Sequence, residues 1–322
     1  MDLKLSHMGV RHRVLWPVTA LMALLTLGVV DVEAKQLTTS STITDAASAS
    51  TGSLAIGSIV STLAPVLASP RSIDTLTISL DAVIASSGAS VGVTLIELGG
   101  TAPIVRSVNG GEVFTAASTY KLAALMLEAQ AIAAGTKDPN GVVCFQADDY
   151  ESGWFDDYVD GSCFTRTELA MRAGIYSDNT AGHMLVRDVG GAAALNAWAA
   201  SVGATSSAFF DGNTTTSADL AVLWAAEAQG DLGGSAAQAW LYPVLTNTRT
   251  ESGVPAGVSG TTVVHKTGAI DLVENDAALV TSGPAGAYIL VVMTDGLGGS
   301  DGWQLIADLS ATVWRSEAAR AQ

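Results

Sequence analysis

Three short strings carry the side chains that could do chemistry together: Ser118-Thr119-Tyr120-Lys121, Ser177-Asp178-Asn179 and Lys266-Thr267-Gly268. A serine hydroxyl is a weak nucleophile until a base takes its proton. Lys121 follows Ser118 by three residues, so on a helix the two share a face. A desolvated lysine near a second cation has a lowered pKa and can act as that base, and Lys266 is the candidate second cation. Ser177 is the candidate relay of a proton between nucleophile and leaving nitrogen. Asn179 is the candidate partner of a substrate amide carbonyl and of Lys121, and Asp178 is read as structural, bonding backbone N–H groups of its loop. Thr267 is a donor for a substrate carboxylate, and Gly268 keeps side-chain bulk away from a ligand. The backbone N–H groups of Ser118 and Ala269 form a candidate oxyanion hole. The chemistry these residues describe is acyl transfer through a serine ester. Each string alone has an ordinary reading: a capping serine with a solvated lysine, a cluster of turn residues, a surface strand end. The weight lies in all three occurring in one order.

The elements needed to position them follow from periodicity. Ile73 to Ala85 has helical apolar spacing. Val91–Leu98 and Pro103–Val108 read as strands, joined at Gly99-Gly100. A strongly apolar helix is expected to open at Ser118 and run to about Ala134. Further helices are expected over Thr165–Ala173, Ala192–Ser201, Ser217–Ala228 and Ser235–Thr246. Thr261–His265, Ala277–Thr281 and Ala287–Thr294 are β-rich, and Asp301–Ala319 reads as a closing helix. Strands at both ends and helices between them give an α/β (α+β) class. One antiparallel sheet is flanked by the terminal helices, with an all-helical lobe over about 118–250 and a cleft between. On an ideal strand Lys266 and Gly268 point to one face and Thr267 to the other, so a bend or twist is expected if both side chains serve the cleft. His265 reads as a packed strand residue rather than a base. Gly88-Ala89-Ser90-Val91-Gly92 fits G-x-S-x-G, but a nucleophile elbow needs a strand before the serine and a helix after it. Here the order is reversed.

Composition narrows the class. The 322 residues are 48% hydrophobic and 14% charged, which suits a packed globular chain. A net charge of -16 repels phosphate backbones, so nucleic acid is not an expected partner. Of the five lysines, two fall in the strings. Residues 1–34 have a basic start, the apolar run Val14–Val30 and small residues near Val32-Glu33-Ala34. They read as a signal peptide or an uncleaved signal anchor, so the remainder is expected to be extracytoplasmic, with the membrane met only through such an anchor. Residues 35–69 are a Ser/Thr/Ala-rich spacer with room for a short helix around Leu54–Leu67, and the folded domain is expected over 70–320. Cys144 and Cys163 are the only cysteines and are expected to pair, contributing about 3 kcal/mol. With His7 and His12 in the leader, His183 and His265 are too few for a metal cluster, and no cofactor is expected. A monomer is expected.

The strings and their flanks resemble the class A serine β-lactamases and their penicillin-binding relatives. Phe114-Thr115-Ala116-Ala117-Ser118-Thr119-Tyr120-Lys121-Leu122 looks like the family's nucleophile segment, and Tyr176-Ser177-Asp178-Asn179-Thr180-Ala181 like its second motif. Asn213-Thr214-Thr215-Thr216 looks like the family's Asp-Thr-Thr-Thr after the Ω-loop. Gly253-Val254-Pro255-Ala256-Gly257 ahead of His265-Lys266-Thr267-Gly268-Ala269 also fits. The resemblance runs from about Pro70 to Arg320. It implies a β-lactam or a peptidoglycan peptide as the small-molecule partner. It also implies the roles given above to Ser118, Lys121, Ser177, Asn179, Lys266 and Thr267.

One departure is specific. Class A enzymes carry an Ω-loop glutamate, within Glu-x-x-x-Asn, that activates the deacylating water. Between Ser201 and Thr216 this chain is too short for a full Ω-loop, and its only acid there is Asp211. Acylation is therefore expected to be intact and deacylation slow, with Asp211 the candidate substitute base. The same acyl-serine chemistry also fits a D-alanyl-D-alanine peptidase or esterase, or a protein that binds penicillin or muropeptides without turnover.

Overall fold

The computed structural model describes residues 75–99 and 104–321. The expected export segment, the spacer with its short helix, the start at Pro70 and the Gly100 half of the first turn lie outside the described residues. The described chain runs α1 (Thr75–Ser87), β1 (Ser90–Glu97), β2 (Ile104–Val108), β3 (Phe114–Thr115), a 3₁₀ turn (Ala117–Thr119), α2 (Tyr120–Ala133), β4 (Val142–Cys144), β5 (Cys163–Thr165), α3 (Arg166–Ile175), α4 (Asn179–Asp188), α5 (Gly191–Val202), β6 (Thr214–Thr215), α6 (Ser217–Ala228), α7 (Gly234–Leu241), β7 (Val263–Ile270), β8 (Val273–Gly283), β9 (Gly286–Asp295) and α8 (Gly299–Arg320).

Five strands form one antiparallel sheet in the order β2-β1-β9-β8-β7. The first long strand therefore pairs with the last, from Ser90 opposite Asp295 to Glu97 opposite Tyr288. Alternate residues of a strand face opposite sides. Leu290 and Val292 of β9 pack with Leu80 of α1 and Ile306, Leu309 and Val313 of α8. Ile289, Val291 and Met293 face the helical side, where α2 and α6 supply Leu122, Leu125, Met126 and Trp224. Both faces are covered, which is why these strands read as continuous apolar runs rather than as an alternation. α2 is buried nearly all round, from Tyr120 and Lys121 through Ala129. Such a helix belongs at the centre of a lobe, and each buried Leu or Met contributes about 1.5–3 kcal/mol.

Side-chain caps open α3, α4 and α6. Thr165 accepts from the Glu168 backbone at the start of α3, and Thr216 from that of Asp219 at the start of α6. Cys144 and Cys163 form a disulfide across the short β4–β5 ladder. Ser90 follows α1 and opens β1, so the G-x-S-x-G string is not an elbow. Among the described residues no helix is long and apolar enough to cross a membrane.

His265, in β7, is fully buried. Its Nδ1 lies 2.9 Å from Asp276 Oδ1 and its Nε2 3.1 Å from Glu251 Oε1. Burial would lower its pKa, but the two carboxylates outweigh burial and raise it to about 9. A folded-state pKa above the unfolded value stabilises below the unfolded pKa and loses that contribution as pH rises through the folded one. His265 thus contributes on the order of 2–3 kcal/mol near pH 6 that disappears by about pH 9.5. Lys121 has a lowered pKa and the opposite slope, so the measurement is a difference. Chemical denaturation of wild type and His265→Gln between pH 6 and 9.5 should give a stability gap that narrows as pH rises. A gap independent of pH would refute the charged pair.

Candidate active site

The nucleophile segment is held by backbone geometry. β3 pairs with β6, and the Ala116 N–H donates to Asn213 O at 2.7 Å. Asn275 of β8, wholly buried, donates from Nδ2 to Thr115 O at 2.9 Å and Ala116 O at 3.3 Å, while its Oδ1 accepts from the Thr294 N–H at 3.0 Å. One amide therefore ties the segment before Ser118 to the middle of the sheet. Ala117 has φ 47°, a left-handed conformation that costs a non-glycine residue about 1–3 kcal/mol. Ser118 then sits in the 3₁₀ turn rather than in the first turn of an α-helix, which begins at Tyr120.

Lys121 Nζ donates to three oxygens: Ser118 Oγ at 2.9 Å, Ser177 O at 2.8 Å and Asn179 Oδ1 at 2.7 Å. Its side chain is fully buried. Burial lowers its pKa to about 7, against the smaller opposing pull of Asp178 and Glu151. Ser177 is also left-handed, at φ 57°, and its Oγ accepts from Lys266 Nζ at 2.9 Å. Lys266 is pushed well below the usual lysine range, first by burial and then by the charge of Lys121. Asp178 is buried. Its Oδ1 accepts from the Ala181 N–H at 2.9 Å and Tyr158 OH at 2.7 Å, and its Oδ2 accepts from the Trp154 N–H at 3.1 Å. It caps α4 and ties the preceding loop to it.

Lys266 and Thr267 lie next to each other on the edge strand β7, and Lys266 Nζ also donates to Thr267 O at 2.7 Å. Thr267 and Ala269 line a cavity of about 250 Å³ together with Ser118, Ser177, Asn179 and Arg249. A Cβ on Gly268 would lie 2.7 Å from Ala116 O and 3.0 Å from the Ser118 and Thr119 nitrogens. The glycine lets β7 press directly on the nucleophile turn.

A second cavity of about 270 Å³ also borders Ser118, lined by Tyr120, Glu151, Asn179, His183 and Asn213. The segment before Asn213 forms part of its wall through Phe210. Ala208 and Thr214 exchange two backbone hydrogen bonds, Asn196 clamps the Phe209 backbone, and Phe210 stands edge-on to Tyr120 and His183. Asp211, the candidate substitute base, is exposed on this segment and lines neither cavity at Ser118. A larger cavity of about 770 Å³ lies between α1 and α8, sharing no residue with the three strings.

Glu151, His183 and Arg249 were not singled out for the site by their sequence patterns. Arg249 had a usable signal: it is the one Lys or Arg between Arg187 and Lys266. Glu151 had none, being one of many acids in a loop. Among the described residues no group of His, Cys, Asp and Glu could hold a metal ion.

This fold and arrangement are those of a serine hydrolase family. A family profile described as the β-lactamase enzyme family matches residues 75–316, and the chain belongs to that family. Among solved structures, PBP-A is 27% identical with a TM-score of 0.70, covering 76% of this chain and 97% of that one. A PBP-A variant, in an acyl-enzyme complex with penicillin G, is also 27% identical with a TM-score of 0.69, over 75% of this chain and 95% of that one. A β-lactamase from Sphaerobacter thermophilus DSM 20745 is 25% identical with a TM-score of 0.66, covering 76% and 96%. No curated protein sequence gives a significant match.

The close approach at Gly268 has a measurable consequence. Gly268→Ala should lower the unfolding free energy by about 1–3 kcal/mol, because only backbone stands in the way. Gly111→Ala, whose Cβ would meet nothing within 4 Å, should stay within about 0.5 kcal/mol of wild type in the same denaturant titration. Equal stabilities for the two variants would contradict the packing described.

Proposed function

We propose that this protein is an extracytoplasmic serine hydrolase that forms an acyl-enzyme through Ser118 on β-lactams or related cell-wall peptides. The observation that carries the reading is the buried Lys121 amine, 2.9 Å from Ser118 Oγ and with its pKa near 7. At neutral pH a substantial fraction of Lys121 is neutral and can take the hydroxyl proton as Oγ attacks the substrate carbonyl carbon. The Ser118 and Ala269 N–H groups receive the developing oxyanion. Ser177 Oγ accepts from Lys266, which leaves its own proton free for the departing nitrogen. Thr267 and Arg249 line the same cavity as Ser118 and suit a substrate carboxylate. Asn179 Nδ2 suits a substrate amide carbonyl.

A D-alanyl-D-alanine peptidase or esterase remains the second reading, favoured by the missing Ω-loop glutamate. A retired binding protein fits less well, since every polar member of the acylating set is retained.

Mass spectrometry after exposure to penicillin G should find one acyl group on Ser118, or turnover, in wild type and neither in Ser118→Ala. The acylation rate should rise as pH passes through about 7, where Lys121 loses its proton. Lys121→Arg, which cannot deprotonate, should acylate about 10²- to 10⁴-fold more slowly. A wild type with neither adduct nor turnover would refute the β-lactam reading.

A further inference from the structure

The acylating half of the site is complete, but the acid expected to activate the deacylating water is absent from its usual segment. The cavity beside Ser118 nevertheless contains a carboxylate. Glu151 Oε1 accepts from Asn179 Nδ2 at 2.6 Å, and its Oε2 lies 3.2 Å from His183 Nε2. Its backbone is fixed as well: the Glu151 N–H donates to Thr180 Oγ1 at 3.0 Å, and that hydroxyl donates back to Glu151 O at 2.8 Å. The carboxylate is thus held from both ends, through α4, on the face of Asn179 opposite Lys121. The chain Glu151–Asn179–Lys121–Ser118 is continuous in hydrogen bonds.

Tyr120 and Asn213 line the same cavity, and each has a buried oxygen without a protein partner, Tyr120 OH and Asn213 Oδ1. Tyr120 is only 6% exposed. Burial, and then the negative charge of Glu151, raise its pKa, so the hydroxyl is a donor. Orphaned buried polar atoms lining a polar cavity mark a water site. A water accepting from Tyr120 and donating to Asn213 and Glu151 would keep one lone pair for attack.

We propose that Glu151 is the general base of acyl-enzyme hydrolysis in this protein, acting on a water held by Tyr120 and Asn213. This rests on the acyl-serine reading above. As the water oxygen bonds to the acyl carbonyl carbon, Glu151 takes one of its protons, and the oxyanion sits against the Ser118 and Ala269 N–H groups. The bond from that carbon to Ser118 Oγ then breaks with its electron pair going to Oγ. Oγ takes a proton from the Lys121 ammonium at 2.9 Å. Lys121 is reprotonated by the product carboxylic acid, which leaves as carboxylate, and Glu151 releases its proton to solvent.

The test separates formation of the acyl-enzyme from its loss. Full-length protein is pulsed with penicillin G, excess is removed, and the Ser118 adduct is followed by mass spectrometry. Glu151→Gln keeps an oxygen for Asn179 Nδ2 but is not a base. It should still form the adduct and shed it at least about 100-fold more slowly than wild type. Tyr120→Phe removes only the unpartnered hydroxyl. It should slow shedding about tenfold or more, with a thermal midpoint unchanged or raised, as removal of an orphaned buried group requires. A Glu151→Gln adduct shed as fast as that of wild type overturns the proposal and leaves the acyl-serine reading standing. A slowing found in Asp211→Asn instead also overturns it. A wild type with neither adduct nor turnover overturns both.

Discussion

The site depends on one buried amine. Lys121 Nζ gathers an oxygen from the nucleophile turn, one from the bend before α4 and one from α4 itself. Removing a lysine from water is costly unless its donors are all used, and here three donors meet three acceptors. That satisfaction keeps the amine buried, and burial in turn brings its pKa down to about 7. The burial that lowers the Lys121 pKa and the contacts that fix three chain segments together are the same physical fact.

The surrounding structure offsets what this arrangement costs. Ala117 and Ser177 both occupy left-handed backbone, and Lys266 is a second buried amine bonded to Ser177. Strain of this kind persists only where neighbours over-determine it. Asn275 ties the Thr115–Ala116 carbonyls to the sheet, and Asp178 anchors the other side by capping α4. Gly268 allows β7 to close on the turn without a side chain between. The rigid parts of the fold, the sheet centre and the first turn of α4, are therefore what set the distance between Ser118 and Lys121.

How much of this was legible depended on where the determining interactions lie along the chain. α6 was read to its ends because Thr216 caps it and its apolar content is unbroken. The β1–β9 pairing followed from strands placed at both ends of the sequence. Ser118 was expected to open an α-helix, yet the tertiary pull of Asn275 and the positive φ of Ala117 put it in a 3₁₀ turn, and no local pattern encodes either. The short ladders β3–β6 and β4–β5 are too brief to carry a period. The three strings were legible because each packs several functional groups into a few consecutive residues, whereas Asn275, Arg249 and Glu151 stand alone in their segments.

Glu151 shows why that last class is hard to read. Its position beside Ser118 is set by Thr180, Asn179 and His183, all on α4, from which it is separated by a loop, β5 and α3. The loop itself is held by Asp178 and by Arg172, whose guanidinium binds Asp157 and stacks on Phe155 and Phe164. The segment before Asn213 borders the cavity at Phe210, and the Glu151 carboxylate borders it as well. That wall is stiff, because Asn196 pins Phe209 while Phe210 packs against both Tyr120 and His183. The result is a polar cavity of about 270 Å³ beside Ser118 with a packed wall, the condition under which the Glu151 side chain can be held in one place relative to the serine.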